Sequence, residues 1–195
     1  MPGEAALPTL RAPSAPLSDG VVCLRLWRDD DVPAIVAACQ DAEIKLWLDR
    51  LPSPYRIEDA RSWLEIVAAN WRDRTFAGFA VADSADDRAL GSISMGIKSA
   101  DDRIAEIGYW LAPEARGRGA MTRALRLLSR WAFDEVGIER LYLRADPDNR
   151  ASCAVAERAG YVLEGVRRSE HFNACRGRRV DHAIYSLLPG DPDPD

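Results

Sequence analysis

Seven stretches of the chain alternate apolar residues with polar or small ones, or form short apolar runs, in the manner of β-strands. Turn-forming residues at 83–88 and 99–102 separate three of these stretches, which predicts two consecutive hairpins and antiparallel pairing. The predicted strands span residues 21–26, 76–83, 89–97, 104–111, 141–145, 161–167 and 182–188.

Four other segments are predicted to be helices, at residues 33–40, 57–72, 119–135 and 149–159. The first follows three aspartates and carries Pro33 in its first turn, a combination typical of a helix start. In the third, Met121, Leu125 and Leu128 fall on one face, as in a helix that packs on a core. Gly137 comes directly after it, where a left-handed residue often ends a helix.

The order β-α-α-β-β-β-α-β-α-β-β predicts an α+β fold with a mixed, mostly antiparallel sheet and helices on both faces. The helix between strands 104–111 and 141–145 makes that pair a parallel crossover. This order does not fit a doubly wound nucleotide-binding fold or a barrel.

A length of 195 residues, with 47% hydrophobic and 29% charged residues, suits one globular domain. We assign it to residues 21–189, and we expect disordered tails at 1–20, which is rich in Ala and Pro, and at 190–195. No apolar run approaches the ~20 residues of a membrane-spanning helix. The first twenty residues lack the pattern of a secretion signal, so we expect a cytoplasmic protein.

Charge and cysteine usage narrow the function classes further. The formal net charge of −5 argues against a nucleic-acid partner, which usually requires a basic surface. The basic cluster Arg176, Arg178 and Arg179 is followed by Asp181, and we interpret it as solvated surface charge. The 4 cysteines and 2 histidines lack metal-ligand spacing, so we predict reduced thiols and no metal site.

The most informative segment is a glycine-rich loop that opens the third predicted helix. It contains Arg116, Gly117, Arg118 and Gly119. The first N–H groups of a helix lack intrahelical acceptors, and glycines let an anion approach them, so the segment predicts an anion-binding turn. The loop lacks the lysine of a nucleoside-triphosphate loop, and Thr122 replaces the third glycine of a dinucleotide fingerprint. A simple helix cap is the alternative.

This loop resembles the acyl-CoA-binding motif of the GNAT N-acetyltransferases, in which Gln/Arg-x-x-Gly-x-Gly/Ala precedes a helix. The strand before it, Glu-Ile-Gly-Tyr-Trp-Leu, fits the same resemblance. The chain departs from the motif at Met121, where Gly or Ala is usual. The resemblance implies that backbone N–H groups of the loop bind the pyrophosphate of acetyl-CoA, and it implicates Arg116, Gly117, Arg118, Gly119, Ala120, Met121 and Thr122.

A second motif supports the same family. Asn149-Arg-Ala-Ser152, followed by Ala-Glu-Arg-Ala-Gly-Tyr, resembles the segment that lies beside the pantetheine arm of the cofactor. Asn149 is equally suited to cap its helix, and both roles are compatible. The closing segment at 177–187 is similar to that of the ribosomal-protein (RimJ/RimL) branch. The resemblance extends from about residue 21 to residue 188.

Acyl transfer to an amine needs a proton acceptor, a stabilised oxyanion and a proton donor for the departing thiolate. By resemblance, Glu106 is the expected acceptor, with a structural ion pair as the alternative role. Ser152 is the expected donor, with a purely local role in its helix as the alternative. The resemblance implies that backbone groups pair with pantetheine and hold the oxyanion at three strand positions, Trp110, Leu111 and Ala112.

The predicted function is transfer of an acetyl group from acetyl-CoA to a primary amine, by direct attack of a protein N-terminal amine in a ternary complex. A small amine such as a polyamine or an aminoglycoside is the alternative acceptor. A non-catalytic acyl-CoA-binding regulatory module is the alternative class. The expected partners are acetyl-CoA and the amine, without metal, nucleic acid or membrane, and a homodimer is left open.

Overall fold

Eight strands form one mixed sheet in the computed structural model, which describes residues 8–192. The sheet order is β1-β2-β3-β4-β5-β6-β8-β7. Only β5 and β6 pair in parallel among these strands, which confirms the predicted α+β fold with its mostly antiparallel sheet. The strands are β1 Leu17–Ser18, β2 Val22–Arg25, β3 Phe76–Asp83, β4 Ala89–Ser99, β5 Ile104–Leu111, β6 Arg140–Ala145, β7 Val162–Asn173 and β8 Arg178–Leu187.

Helices cover both faces of the sheet, as predicted. On one face, Val67 lies against Gly78 of β3 so closely that a Cβ at Gly78 would meet its side chain at 2.9 Å. On the other face, Met121, Leu125 and Leu128 are buried in the main core. The helices are α1 Val32–Ala38, α2 Ala42–Trp47, α3 Ile57–Asp73, α4 Ala120–Trp131 and α5 Arg150–Arg158.

The two parallel strands separate halfway along their length. Pairing between β5 and β6 runs from Ile104 with Arg140 to Ile107 with Leu143. Beyond that point β5 continues to Leu111 along β4, and β6 continues along β8. Since the strands follow different neighbours, a gap opens in the middle of the sheet.

The amino-terminal segment differs from the prediction of a disordered tail at 1–20. Leu17 and Ser18 form β1 and pair with β2, and Leu10 is buried in the core with 1% of its surface exposed. The prediction is therefore corrected for residues 8–20, because apolar burial and strand pairing override an Ala- and Pro-rich composition. Residues 1–7 and 193–195 lie outside the described part of the chain.

Three further elements, one helix and two strands, differ from the sequence expectation. Helix α2 lies where a loop was expected, and its N-cap Asp41 accepts the amide N–H of Ile44 at 3.0 Å. The last two strands are longer than predicted, because β7 and β8 pair with each other as far as Asn173 with Arg178. Pairing between β7 and β8 thus extends the hairpin through a segment in which charged residues interrupt the alternation typical of a strand.

A buried arginine joins β2 to two neighbouring segments. The Arg25 guanidinium, 4% exposed, donates to both carboxylate oxygens of Asp31 at 2.8 Å, and its Nε donates to Asp87 at 2.6 Å. Asp31 directly precedes α1, and Asp87 belongs to the β3–β4 turn. Both carboxylates raise the pKa of Arg25, so its charge is retained. The network ties the first helix to the sheet.

We expect Arg25→Ala to lower the free energy of unfolding by about 3–5 kcal/mol, because it leaves Asp31 buried without its guanidinium partner. The control is Arg88→Ala, whose exposed guanidinium lies 3.7 Å from Asp86 and should contribute less than about 1 kcal/mol. Urea denaturation followed by circular dichroism measures both. Equal losses in the two variants would contradict a special role for the buried network.

Candidate active site

The glycine-rich loop leads from β5 into α4, and its backbone N–H donors lack partners among the described residues. Gly117 and Gly119 have φ of 75° and 74°, and a Cβ at either position would meet nothing within 4 Å. Within residues 8–192, the N–H groups of residues 117–122 have no protein acceptor, and the first intrahelical bond is donated by Arg123 to the carbonyl of Gly119. The loop therefore presents free donors and the positive end of a helix to any anion beside it.

The side chain of Arg116 has partners within the protein. Its guanidinium donates to Asp41 and to Glu43, each at 2.6 Å, and its Nε donates to the carbonyl of Leu111 at 3.3 Å. Burial pushes the pKa of Asp41 up, but Arg116 and the amide of Ile44 outweigh it and hold that pKa below its usual value. Arg116 thus joins the loop to α2, and its charge is shared with two carboxylates.

A groove of about 320 Å³ runs beside the loop, between α2, β5 and α5, and we call it the loop groove. Of the residues predicted to bind acetyl-CoA, only Ala112 and Arg118 do not line it: Ala112 is buried and the Arg118 side chain is exposed. Met121, the departure from the motif, lines the groove but packs in the main core, with 4% of its surface exposed. The remaining liners from that prediction are Trp110, Leu111, Arg116, Gly117, Gly119, Ala120, Thr122, Asn149 and Ser152.

A second cavity, of about 160 Å³, lies at the gap between β5 and β6, and we call it the histidine cavity. His171 and His182 line it, with their rings stacked 5.7 Å apart at an interplanar angle of 15°. It shares five lining residues with the loop groove, so the two adjoin. The shared residues are Trp47, Leu48, Tyr109, Asn149 and Ser152.

Two hydroxyl groups meet where the cavities join. The oxygen atoms of the Tyr109 and Ser152 side chains lie 3.0 Å apart, and the Tyr109 hydroxyl also lies 3.2 Å from the Ser152 carbonyl. Burial raises the pKa of Tyr109 to about 12, so the phenol keeps its proton at neutral pH. Asn149 caps α5 by accepting the amide N–H of Ser152 at 3.0 Å, which fixes the position of that serine.

Glu106 lies on β5 but lines neither cavity. Its carboxylate is 2.8 Å from Lys98 Nζ and 2.6 Å from Arg144 Nε, and the Tyr142 hydroxyl donates to it at 3.4 Å. Burial alone would raise the pKa of Glu106, but the two cations outweigh it and lower that pKa. The structure therefore gives Glu106 the ion pair that was its alternative role, and its oxygen atoms are already occupied.

The described residues carry none of the clusters of His, Cys, Asp and Glu that could hold a metal ion. All four cysteines are free thiols; Cys175 is exposed and the other three are buried. No described helix is long and apolar enough to cross a membrane.

Known proteins are similar to this chain in sequence and in fold. A family model of the acetyltransferase (GNAT) domain matches residues 22–162. The "Putative ribosomal N-acetyltransferase YdaF" of Bacillus subtilis (strain 168) is 34% identical over 145 residues, covering 73% of this chain and 76% of YdaF. The "Spermidine N(1)-acetyltransferase" of Escherichia coli (strain K12) is 31% identical over 70 residues, covering 36% of this chain and 38% of that enzyme.

A solved structure shows the same fold. It is that of RimL, named as the ribosomal L7/L12 α-N-protein acetyltransferase and determined in complex with coenzyme A. It superposes with a TM-score of 0.79 at 23% identity, over 91% of this chain and 98% of the RimL chain.

The chain belongs to the GNAT family of acetyltransferases. It is an acetyl-CoA-dependent N-acetyltransferase, and the free N–H groups of residues 117–122 suit the anionic end of that co-substrate. Its relatives include YdaF, whose name describes it as a putative ribosomal N-acetyltransferase, in agreement with the branch that the closing segment indicated.

Sequence reasoning missed several residues that the structure brings to this site: Trp47, Tyr109, His171 and His182. Strand alternation offered a signal for Tyr109, because it places that residue on the sheet face opposite Glu106 and Gly108. For the two histidines, the sequence suggested only a role as metal ligands, and their spacing does not fit a metal site. No signal along the chain brings them together with Ser152.

We expect Gly119→Glu to weaken acetyl-CoA binding about 100-fold or more, because a carboxylate beside the free N–H groups would repel the anion. Loss of two charge-assisted hydrogen bonds, each about 1.5–3 kcal/mol, accounts for that factor. Arg118→Ala should cost less, since the backbone donors remain. Isothermal titration with acetyl-CoA measures each dissociation constant.

The matched control is Gly20→Glu, since Gly20 has φ of 85° and open space around its Cβ position. It imposes the same kind of backbone strain and the same charge away from the groove, and it should leave binding unchanged. Circular dichroism and melting temperature confirm that each variant is folded. A folded Gly119→Glu protein with wild-type affinity would show that the loop only caps α4.

Proposed function

We propose that this acetyltransferase modifies the N-terminal amine of a protein, of the ribosomal-protein type, by direct attack in a ternary complex. The observation that carries the proposal is the lining of the histidine cavity. Among the described residues that line it, Asp146 is the single carboxylate, and Arg144 offsets its charge. Asp146 is also paired with Arg176 at 3.0 Å. Such a cavity suits one amine attached to a polar chain and lacks the row of carboxylates that a polyamine would favour.

The extent of the similarity to known proteins supports the same acceptor. The likeness to YdaF, named as a putative ribosomal N-acetyltransferase, extends over 73% of this chain, whereas the likeness to the spermidine enzyme covers 36%. The longer match therefore favours a protein N-terminus.

Direct attack is favoured by the way the two cavities meet. Acetyl-CoA would lie in the loop groove with its pyrophosphate on the N–H groups of residues 117–122, and the strand residues Trp110 and Leu111 would pair with pantetheine. Ala112 is not available for that pairing, because its N–H donates to the Leu90 carbonyl at 2.8 Å. The amine would enter through the histidine cavity. Because Tyr109 and Ser152 border both spaces, the thioester and the amine can meet there without an acyl-enzyme intermediate.

We propose that Ser152 donates a proton to the departing thiolate of coenzyme A. The Ser152 hydroxyl is positioned by the cap of α5 and by Tyr109. Tyr109 keeps its own proton at neutral pH and can pass it along the same hydrogen bond. The proton-accepting role predicted for Glu106 stays a prediction. Its two cationic partners favour a different use, in which the carboxylate fixes Arg144 at the edge of the histidine cavity.

A screen of coenzyme A release with the wild-type protein tests the acceptor class. It uses short peptides with free N-termini, the same peptides acetylated at the N-terminus, spermidine and an aminoglycoside. We expect release with free peptides and none with blocked ones. Release of coenzyme A with spermidine or the aminoglycoside, but with no peptide, would overturn the proposed acceptor. A protein that binds acetyl-CoA and releases no coenzyme A with any of these amines would be a non-catalytic module.

We expect Ser152→Ala to lower kcat about 100-fold and to leave acetyl-CoA affinity within about twofold, since it removes a proton donor and no phosphate contact. Tyr109→Phe keeps the ring and removes the hydroxyl, so a smaller loss of kcat is expected. Steady-state kinetics and calorimetry separate the two effects. A Ser152→Ala enzyme with wild-type kcat would assign the proton to another group.

A further inference from the structure

At the edge of the histidine cavity, two facing polar atoms are buried and have no hydrogen-bond partner in the described chain. They are Nδ1 of His182 and Oε2 of Glu170, and they face each other at 3.5 Å. The His182 ring also lines the cavity, on the acceptor side of Ser152. Buried polar atoms are seldom left unpaired, and exceptions are frequent at working sites. Hydrogen bonds among such groups often tighten only when substrate binds.

A β-bulge turns Glu170 toward His182. The register between β7 and β8 shifts between Arg167 and His171, and Ser169 within the bulge adopts a left-handed φ of 53°. The Ser169 amide donates to Asp181 at 2.7 Å, and Arg179 donates to the Ser169 carbonyl, so both sides of the bulge are fixed. Bulges of this kind redirect side chains beside active sites.

The carboxylate of Glu170 is divided between two partners. Arg167 donates to its Oε1 at 2.8 Å, which leaves Oε2 directed at the imidazole. Arg144 also approaches Oε1, at 3.8 Å. The oxygen atom of Glu170 that lacks a hydrogen-bond partner is thus the one that faces the buried nitrogen of His182.

The surroundings of His182 favour the neutral ring, and burial is the largest effect. Burial lowers its pKa below the ordinary 6.5, and Arg144 and His171 act in the same direction, while Glu170 and Asp146 oppose them. A neutral imidazole carries one N–H and one free lone pair. If Nδ1–H points to Glu170, the lone pair of Nε2 is left for the cavity.

The other candidate acceptors have closer partners. His171 has its Nε2 within 3.1 and 3.2 Å of the two oxygen atoms of Asp49. Glu106 is paired with Lys98 and Arg144 and lies outside the cavity lining. His182 is therefore the cavity-lining histidine whose buried ring nitrogen has no hydrogen-bond partner in the described chain.

We propose that His182 accepts the proton from the attacking amine and that Glu170 is the positioning residue that orients its ring. The proposal rests on the proposed function, in that the amine enters through the histidine cavity. The nitrogen lone pair forms the new N–C bond at the thioester carbon, and the C–S bond breaks. The N–H proton moves to Nε2 of His182 and then to solvent. The thiolate takes its proton from Ser152, which solvent replenishes, so the products are the N-acetylated amine and coenzyme A.

The ring itself can be tested without an acceptor, because the chain contains only 2 histidines. Protein labelled with ¹⁵N at histidine gives two sets of imidazole signals, which His171→Gln assigns. We expect His182 to titrate below pH 6.5 and to carry its neutral-state proton on Nδ1. A ring that is protonated at pH 7, or that carries its proton on Nε2, would overturn the proposal.

Kinetics test the role of the ring with the amine that the wild type acetylates in the screen. We expect His182→Gln to lower kcat at pH 7 by about 100-fold and to leave acetyl-CoA affinity within about twofold. In the wild type, log kcat should decrease as the pH drops through the His182 pKa, which lies below 6.5. This acidic limb of the pH profile should vanish in the variant. A free N-terminal amine titrates near 8, well separated from that limb.

Substitutions of its neighbours should move the limb in opposite directions. Glu170→Gln removes a charge that raises the His182 pKa, so the limb should shift to lower pH. His171→Gln removes a neighbour that lowers that pKa, so the limb should shift to higher pH. A purely structural role for these residues would change kcat without moving the limb. Glu106→Gln should retain the limb, and its disappearance there would assign the proton to Glu106 instead.

An error in the proposed acceptor can be distinguished from an error in the proposed role of His182. If the wild type acetylates spermidine and no peptide, the proposed function falls, and His182→Gln is compared with spermidine as the acceptor. If neither reacts, hydrolysis of acetyl-CoA by the wild type and the variant is compared, since water needs the same proton acceptor. Unchanged rates in the variant would overturn the role of His182 in either case.

Discussion

The separation of β5 from β6 is the constraint on which the rest of this site depends. Their parallel pairing ends at Ile107 and Leu143 because each strand then follows its antiparallel neighbour. An uninterrupted sheet would leave no passage between its two sides. The gap is bordered by Gly108 and Tyr109 on one strand and by Arg144 on the other, and both cavities open at it. The reaction site is therefore a consequence of sheet topology.

In the proposed function, acetyl-CoA and the amine approach that gap from the loop groove and from the histidine cavity. The backbone N–H groups at the start of α4 suit an anionic co-substrate, because they need no side-chain ordering and keep their protons over the working pH range. In the histidine cavity, where the proposed function places the amine, Asp146 is already paired with Arg176. The proton-transfer roles proposed above fall to His182 and Ser152, which both line that cavity.

The acceptor side is also held by contacts between distant segments. Arg116 joins the glycine loop to α2 through Asp41 and Glu43, and α2 contributes Trp47 to both cavities. Asp49, just beyond α2, reaches His171 on β7. Helix α2 therefore links the cofactor side of the site to the acceptor side. Its position is determined by charged partners on the loop and on the last hairpin, as well as by the burial of Ile44.

The sequence by itself determined the elements whose signals are local. The stripe of Met121, Leu125 and Leu128, the glycines at the start of α4 and the Asn149 cap each act within a few residues, so their roles were readable along the chain. Only the tertiary structure decided which side chains meet. It paired Glu106 with Lys98 and Arg144, and it brought Glu170 to His182 through a bulge that exists only in the paired hairpin. Such contacts depend on strand register and on packing between segments far apart in sequence, which no local periodicity encodes.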